Sequence, residues 1–460
     1  MQNPNDNPKY HRDFLSWNQD DFQNKAQISN YNPKYHIYPT VGLLNDPNCI
    51  FYYQNQLHIM FQHHPATINH GLKAMSLATI SANNPKINYQ FLVNQPDQIF
   101  DSHGTYSGNA WVDEQQILIA YSGNHRDANW NRIASVVLAN FDVETKTVIN
   151  KRVLFNHLDY PDYTEHFRDP FLFEFDQKFY LLLGAQKQNQ KGVILLFQLN
   201  QNLDQATLIK EIHLSHNYRM IECPTVAWFD QKAVLIYSPQ LQLDQISLEQ
   251  NPDLVRYHVI TDWNSFLNND QFEIQLNQEK ILDHGLEFYA PQTFLINDQW
   301  HLIAWSGIPT SLTYPEAKSG WIFCLTMIKK INLVNDQLCL EEAPYLKDLY
   351  QADLDPWVKY FDFDLEQNQV LTFFDQKQIK LTITVEKDQV LIKRFDDQDF
   401  YPYQSLVKIE QPKQQSTNLQ IYFDHSIIEI KINKKSWYTA RLYFENNIDF
   451  EIKSIADHQV

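Results

Sequence analysis

The sequence has few cysteines and few glycines. Of its 460 residues only 10 are glycine, and four are cysteine: Cys49, Cys223, Cys324 and Cys339. The cysteines form no CxxC pair and no cluster with histidine at zinc-ligand spacing, which argues against a metal site. Isolated cysteines in a long chain are typical of reduced thiols in a cytoplasmic protein.

Long apolar runs and an excess of positive charge are also lacking. No segment approaches the roughly 18 apolar residues of a membrane span, and the N-terminus lacks the basic start and apolar stretch of a secretory signal. The formal net charge is −18 with no basic stripe, which argues against nucleic acid as a partner. We therefore expect a cytoplasmic protein that binds neither membranes nor nucleic acid. The oligomeric state stays open.

The sequence predicts many short strands. Between residues 33 and 330 one unit returns five times: an apolar strand, a polar turn and a second apolar strand. The last residues of these turns lie 54 to 67 positions apart, at Gln56, Gln116, Lys178, Lys232 and Gln299. A β repeat of this length predicts a five-bladed propeller with two hairpins per blade. A large sandwich with ordinary hairpins is the alternative.

The spacing of the predicted strands changes after residue 345. Closely spaced apolar strands separated by charged turns are typical of a β-sandwich. We therefore expect an all-β chain, a five-bladed β-propeller followed by a C-terminal β-sandwich. The predicted boundaries are an N-terminal extension over 1–32, a catalytic propeller over 33–340, a linker over 341–356 and the sandwich over 357–460.

Three acidic residues occupy the same slot in different repeats. Asp46, Asp169 and Glu222 each precede the last turn residue of their repeat by 9 or 10 positions. The other two repeats have Ser107 and the pair Tyr289-Ala290 in this slot. One repeated slot maps to one ring around a propeller axis, so we expect the three carboxylates to converge on one pocket.

Converging carboxylates suit retaining glycoside hydrolysis. One carboxylate attacks the sugar while a second, about 5–5.5 Å away, protonates the leaving oxygen. Like charges at this distance raise one pKa, and we expect Glu222 to keep its proton because Cys223 offers it an apolar neighbour. The chemistry needs no metal or cofactor. His63, His64 and His70 lack a third ligand at metal spacing, and no G-x-S-x-G elbow supports a nucleophilic serine.

The segments around these acids resemble the motifs of a known family. Leu43–Asn48, Phe167–Pro170 and Glu222–Pro224 resemble the W-M/L-N-D-P-N-G, R-D-P and E-C-P boxes of glycoside hydrolase family 32, the invertases and fructosidases. Within the family the sequence looks most like the bacterial sucrose-6-phosphate hydrolases. The resemblance implies the propeller and sandwich, with Asp46 as nucleophile, Asp169 as transition-state stabiliser and Glu222 as acid/base.

The same resemblance implies a substrate and the residues that bind it. The expected reaction releases fructose, together with glucose or glucose 6-phosphate, from sucrose or sucrose-6-phosphate. Seven residues are expected to contact substrate: Leu43, Leu44, Asn45, Gln62, Tyr106, Ser107 and Arg168. An exo-fructosidase acting on short imported fructooligosaccharides and a non-catalytic sugar-binding propeller are the alternatives.

The sequence departs from the family pattern at several positions. Leu43 and Cys49 replace the tryptophan and glycine of the nucleophile box, and Glu287 stands where the family usually has aspartate. The lost tryptophan and glycine motivate the non-catalytic alternative, and the departures together are expected to affect substrate detail and catalytic rate. No phosphate site is evident, and Lys73, Lys329 and Lys330 are candidates because they depart from the family in a basic direction.

Overall fold

The computed structural model describes residues 10, 12–81, 84–113, 115–246, 253–269, 272–310, 314–395, 405–413 and 415–455. Strands dominate this part of the chain and form seven sheets. None of the helices within these ranges combines the length and apolar character needed to cross a bilayer.

The first three blades of a propeller follow one another along the chain. Each has four antiparallel strands that pair in sequence order. Blade 1 has β1 (Gly42–Tyr53), β2 (Gln56–His64), β3 (Ala74–Ser81) and β4 (Asn84–Asn94). Blade 2 has β5 (Thr105–Val112), β6 (Ile117–Arg126), β7 (Arg132–Asp142) and β8 (Thr147–Asn156). Blade 3 has β9 (Tyr163–Phe175), β10 (Lys178–Lys187), β11 (Gly192–Leu199) and β12 (Ala206–Leu214).

The last two blades include short strands that tie neighbouring sheets together. Blade 4 has β13 (Met220–Phe229), β14 (Lys232–Gln240), β15 (Arg256–Ile260) and β17 (Lys280–Ile281), while β16 (Glu273–Ile274) pairs with β12 of blade 3. Blade 5 has β18 (Tyr289–Ile296), β19 (Gln299–Ser306), β22 (Lys329–Val334) and β23 (Gln337–Glu342), and β21 (Cys324–Leu325) pairs with β19. Because β20 (Trp321–Ile322) pairs with β1, the chain links the last blade to the first.

Two packed sheets follow the propeller and form a β-sandwich. Their strands are β24 (Val358–Glu366), β25 (Gln369–Asp375), β26 (Gln378–Val385), β27 (Gln389–Arg394), β28 (Leu406–Glu410), β29 (Ser416–Asp424), β30 (Ile427–Ile432), β31 (Ser436–Arg441) and β32 (Asp449–Ser454). The sheet orders are β24-β29-β30-β31 and β28-β27-β26-β25-β32. The predicted all-β architecture, a five-bladed propeller plus a sandwich, is confirmed.

Among the residues that the structure describes, three short α-helices lie outside the sheets: α1 (Gln19–Lys25), α2 (Trp263–Asn268) and α3 (Pro344–Ala352). A capping box between Asn18 and Asp21 begins α1, and Phe22 of this helix stacks on Phe91 of blade 1. The N-terminal segment is therefore packed on the propeller. Helix α3 begins at Pro344, a favourable first helical residue because it needs no amide donor.

The hairpin turns show how a chain with few glycines forms tight turns. The first hairpins of blades 1, 3 and 5 turn through pairs of non-glycine residues with positive φ: Gln54-Asn55, Asp176-Gln177 and Asn297-Asp298. Turns of this geometry match the right-handed twist of the flanking strands and commonly use glycine. Asn and Asp tolerate the left-handed region better than most residues, so the polar turns keep their shape.

The innermost strand of every blade carries a β-bulge at the predicted slot. The register shifts fall at Leu44/Pro47 in β1, Tyr106/Gly108 in β5, opposite Leu182/Gly184 in β9, Glu222/Thr225 in β13 and Tyr289/Gln292 in β18. Three of these bulges hold a residue with positive φ, at Asp169, Cys223 and Ala290. A bulge bends the strand and redirects its side chains, here towards the propeller axis.

Candidate active site

The three predicted carboxylates lie around one cysteine. The Cys223 thiol is 3.7 Å from Asp46 Oδ2, and the Cys223 amide donates a hydrogen bond of 3.0 Å to Asp169 Oδ2. Glu222 precedes this cysteine in the same bulge. Every inner strand contributes to the lining of the axial channel beside the carboxylates, among others through Pro47, Ser107, Asp169, Cys223 and Ala290. The structure thus brings together, in one ring, residues that are far apart in sequence.

Asp46 is surrounded by hydrogen-bond donors. Ser107 Oγ donates to Asp46 Oδ2 at 2.5 Å, Gln62 Nε2 donates to the same oxygen at 3.2 Å, and Asn45 Nδ2 donates to Oδ1 at 3.0 Å. Gln62 also donates to Ser107 Oγ at 2.6 Å. These contacts orient the carboxylate and hold it in one rotamer, as a nucleophile requires.

Arg168 connects the other two carboxylates. Its guanidinium donates to Glu222 Oε1 through Nη2 at 2.7 Å and through Nε at 3.2 Å, and Nε lies 3.9 Å from Asp169 Oδ2. The Asp169 amide donates to Ser122 Oγ at 2.7 Å, which supports the left-handed backbone of this residue. Arg168 and Asp169 therefore present a cation and a carboxylate side by side in the pocket.

The carboxyl groups differ in pKa. Burial raises the pKa of Asp46, an effect that the hydrogen bonds from Ser107 and Asn45 oppose. Burial also raises the pKa of Asp169 to about 7 against the nearby Arg168 charge, with the negative charges of Glu222 and Asp46 adding to the increase. Among the three carboxyl groups, the pKa is thus raised for Asp46, the predicted nucleophile, and for Asp169.

The expectation that Glu222 has the raised pKa is wrong for this arrangement. Burial acts to raise its pKa, but the positive charge of Arg168 and hydrogen bonds from Tyr289, Arg168 and Gln240 outweigh burial, so the pKa is lowered. The apolar neighbour Cys223 was the basis of the expectation, yet charge and hydrogen bonding to the ionised form dominate.

Two residues that support Glu222 were not among the predicted site residues. Tyr289 donates its hydroxyl to Glu222 Oε2 at 2.6 Å, and Gln240 Nε2 donates to the same oxygen at 2.5 Å. Tyr289 could have been found, because it occupies the slot of the carboxylates in the fifth repeat. The repeat does not mark Gln240, because this residue reaches the site from the end of β14, where it pairs with Met220.

The predicted substrate-binding residues separate into two groups. Asn45, Gln62, Ser107 and Arg168 contact the carboxylates as described above. Tyr106, on β5 next to Ser107, is half-buried and accepts a hydrogen bond of 3.3 Å from Asn124 Nδ2.

The two leucines form the second group. Leu43 and Leu44 are 1% and 0% exposed and belong to the apolar core cluster. The substrate contact predicted for these two leucines stays a prediction, because their burial shows packing in the core and no exposed surface. The prediction rested on their place in the motif alone.

Two of the three lysines named as phosphate candidates, Lys73 and Lys329, are buried and have polar partners, whereas Lys330 is half-buried. Lys73 donates to Asn45 Oδ1 and lies 3.1 Å from His70 Nδ1, and burial lowers its pKa to about 7. Lys329 is fully buried and forms an ion pair with Glu429 of the sandwich. Lys73 therefore supports the pocket from behind Asn45, whereas Lys329 belongs to the contact between propeller and sandwich.

Comparisons with known proteins agree with this geometry. Residues 36–344 match the N-terminal domain of glycosyl hydrolases family 32. The chain is 30% identical to sucrose-6-phosphate hydrolase of Pediococcus pentosaceus, over 89% of this chain and 77% of that protein. It is also 30% identical to the Streptococcus mutans sucrose-6-phosphate hydrolase, over 95% and 94% of the two chains.

Solved structures show the same architecture. Sucrose-6-phosphate hydrolase from Lactobacillus gasseri superimposes with a TM-score of 0.80 at 27% identity, covering 96% of each chain. A Bombyx mori β-fructofuranosidase superimposes with a TM-score of 0.72 at 19% identity, covering 95% of this chain and 97% of that one, and at this identity the likeness concerns the fold alone.

Proposed function

The chain belongs to glycosyl hydrolase family 32 and is an enzyme that hydrolyses fructofuranosides, and from this premise we propose that it cleaves sucrose-6-phosphate or sucrose with retention of configuration. The observation that carries the proposal is the convergence of Asp46, Asp169 and Glu222, from three different blades, around Cys223. We assign catalysis to the propeller over residues 33–340 and a supporting role to the sandwich over 357–460.

In the first step Asp46 attacks the anomeric carbon of the fructosyl unit. The bond from that carbon to the leaving oxygen breaks, and the oxygen takes the proton of Glu222, so that glucose or its 6-phosphate leaves and a fructosyl ester of Asp46 remains. In the second step Glu222 accepts a proton from water, which attacks the same carbon and releases fructose and free Asp46.

The neighbouring side chains assist both steps. Asn45, Gln62 and Ser107 orient Asp46 by their hydrogen bonds. Asp169 accepts hydrogen bonds from fructosyl hydroxyls, and those bonds strengthen as positive charge develops on the sugar. Arg168 donates to a fructosyl hydroxyl oxygen and so orients the sugar. When Arg168 turns from Glu222 to the sugar, the pKa of Glu222 rises because its strongest cationic neighbour has moved away. Substrate binding thereby prepares the acid.

The compartment and the substrate follow from the same premise. Sucrose-6-phosphate is the substrate in the names of both curated relatives, and a phosphorylated disaccharide is retained inside cells by its charge. We therefore place the enzyme in the cytoplasm, with a small sugar as its partner.

Hydrolysis assays test the proposal. Purified enzyme is given sucrose, sucrose-6-phosphate and a short series of inulin-type oligosaccharides, and released fructose is measured for wild type, Asp46→Asn and Glu222→Gln. We expect hydrolysis of one or both disaccharides, and loss of at least about 10³-fold in kcat for each variant, as for catalytic groups that act directly on the reacting atoms. Preference for the oligosaccharides would favour an exo-fructosidase, and wild-type activity in either variant would remove that residue from the mechanism.

A further inference from the structure

Two arginines of blade 2 are directly opposite each other on neighbouring strands. Arg126 ends β6 and Arg132 begins β7, and the two residues form a cross-strand pair. Like charges in this position destabilise a sheet. The Nε atoms of both guanidinium groups are buried and have no hydrogen-bond partner among the residues that the structure describes.

Neither arginine is neutralised within the described part of the chain. Arg126 donates through Nη1 to the Trp130 carbonyl at 3.0 Å, and its guanidinium lies 5.1 Å from the Trp130 ring. Arg132 forms no side-chain hydrogen bond or ion pair with any described residue. This is unexpected in a protein of net charge −18, because a partly buried cation is costly without a counter-charge.

The arginine pair faces the catalytic pocket. Ser122, Asn124 and Arg126 alternate along β6 and therefore lie on one face of the strand. Ser122 Oγ accepts from the Asp169 amide, and Asn124 donates to the Tyr106 hydroxyl. The third residue of this row, Arg126, together with Arg132 opposite it, thus continues outward from residues that touch the pocket.

The pair also lies on the side of the acid. Arg168, which binds Glu222, is 3.0 Å from His166 Nδ1 through its Nη1 atom. His166 has a pKa lowered to about 4 by burial and by the positive charges of Arg168 and Arg132. Arg132 is therefore an electrostatic neighbour of His166 and Arg168, the two residues that lie beside the acid.

We propose that Arg126 and Arg132 form an anion subsite that binds the phosphate of the leaving sugar in a phosphorylated disaccharide. The proposal rests on the proposed fructosidase function and makes sucrose-6-phosphate, rather than sucrose, the preferred substrate. A phosphate has oxygens enough for the planar donor forks of both arginines. Its negative charge between the two guanidinium groups replaces their repulsion by attraction. The same contact recognises glucose 6-phosphate as a product.

The test compares phosphorylated and unphosphorylated substrates in matched variants. Arg132→Gln and Arg126→Gln each remove one guanidinium group. Arg132→Lys keeps the positive charge but loses the bidentate geometry. Arg152→Gln, on the outer strand β8 of the same blade, removes an exposed arginine far from the pocket. The measured quantity is the ratio of kcat/KM for sucrose-6-phosphate to that for sucrose.

We expect the glutamine variants to lower this ratio about tenfold or more, since each removes a charge-assisted hydrogen bond to the phosphate. Arg132→Lys falls between wild type and Arg132→Gln, and Arg152→Gln keeps the wild-type ratio. An unchanged ratio in Arg132→Gln and Arg126→Gln, or an equal loss on both substrates, would overturn the subsite.

A binding measurement separates failure of the subsite from failure of the proposed function. Calorimetry with glucose 6-phosphate and with glucose is done on wild type and on both glutamine variants. If wild type binds glucose 6-phosphate more tightly and the variants lose this preference, the subsite stands even for an enzyme that cleaves neither disaccharide. In another outcome, wild type hydrolyses sucrose-6-phosphate while the variants keep both the kcat/KM ratio and the preference for glucose 6-phosphate. That result would support the proposed function and refute the subsite.

Discussion

The ionisation of Glu222 depends on the side chains that surround its carboxylate. Three side chains donate hydrogen bonds to its carboxylate, from Arg168, Tyr289 and Gln240. Each donor stabilises the charged form and lowers the pKa. The acid of the reaction is therefore held ionised until substrate changes its surroundings, which makes its neighbours good targets for mutation.

Removing the Tyr289 hydroxyl should change the pH dependence of catalysis. Tyr289→Phe keeps the buried ring but removes a donor to Glu222 Oε2, so the pKa of Glu222 rises. In a profile of kcat/KM for sucrose against pH, the basic limb is the fall in activity towards high pH, which reports deprotonation of the acid. We expect this limb to move to higher pH in the variant. Tyr218→Phe is the control, because its hydroxyl binds Glu279, away from the pocket. A basic limb that stays in place, or moves down, would contradict the assignment of Glu222.

Single residues were predicted well where the repeat marks them. The slot shared by five repeats contains Asp46, Ser107, Asp169, Glu222 and Tyr289. Hydrogen bonds and the contacts of Cys223 bring these residues together. Gln240 was missed because its reach to Glu222 depends on the register of β13 against β14, which spacing does not reveal. The outcome for Leu43 and Leu44 shows that a position in a motif does not determine exposure.

At the scale of the strand, close backbone contacts set the position of the acid. Gly184 of β10 packs against β13, and a Cβ atom at this glycine would lie 2.2 Å from the Ile221 carbonyl oxygen. Real Cβ atoms do not approach backbone oxygen so closely, so any side chain here pushes the two strands apart. Ile221 precedes Glu222, which means that the displacement reaches the acid directly.

Gly184→Ala should therefore impair catalysis more than folding. We expect kcat to fall about 10–100-fold, because a shift of about 1 Å in a catalytic group has effects of this size, while the circular dichroism spectrum stays that of a β protein. Gly320→Ala is the control: no atom lies within 4 Å of its added Cβ, although its positive φ costs about 1 kcal/mol. Full activity in Gly184→Ala would show that β13 is not positioned by this contact.

The elements themselves were predictable and their bulges were not. Alternating apolar strands and polar turns marked the five inner hairpins, and those hairpins are β1-β2, β5-β6, β9-β10, β13-β14 and β18-β19. The bulges arise from local backbone conformation, as at Asp169 with φ of 65°. Non-glycine residues give no sequence signal for such a conformation.

For the whole molecule, buried charges join the propeller to the sandwich. His36 lies 2.7 Å from Asp424 and 3.1 Å from Glu429 through its two ring nitrogens, and Lys329 pairs with the same glutamate. Glu287 accepts two hydrogen bonds from Arg394 Nη1, at 2.8 and 3.0 Å. These residues come from distant parts of the sequence and are all buried, so the two units share a polar interface.

Stability should fall at high pH because of His36. Burial favours its neutral form, but the hydrogen bonds to Asp424 and Glu429 outweigh burial and raise the pKa to about 9. A raised histidine pKa stabilises the fold fully below the unfolded value of about 6.5 and loses this effect as pH rises through about 9. We expect the free energy of unfolding to lose up to about 3 kcal/mol from this group across that range.

Chemical denaturation at a series of pH values measures this effect. His36→Gln should be less stable than wild type at pH 6, and the difference should shrink as pH approaches 10. His58→Gln is the control, because burial lowers the pKa of His58 to about 4 and its charge does not change in that range. A difference between wild type and His36→Gln that is constant from pH 6 to 10 would mean that His36 is not charged in the fold.

The sequence did not predict this interface. Glu287 and Lys329 were noted as departures from the family, with consequences expected for substrate and rate. The structure instead pairs them with Arg394 and Glu429, roughly 100 residues further along the chain. Pairing over such separations depends on how the sandwich packs on the propeller, which a local pattern does not contain.

The proposed reaction requires a covalent bond between Asp46 and fructose, and trapping of that bond is the decisive measurement. The Glu222→Gln variant is mixed with a β-fructofuranoside whose leaving group needs no protonation, so that the ester forms but is hydrolysed slowly. The variant is then digested at low pH and its peptides are mapped by mass spectrometry. We expect one added fructosyl unit on the peptide that contains Asp46, and none in the double variant with Asp46→Asn. A fructosyl unit on another carboxylate, or turnover of this substrate with inversion at the anomeric carbon, would contradict it.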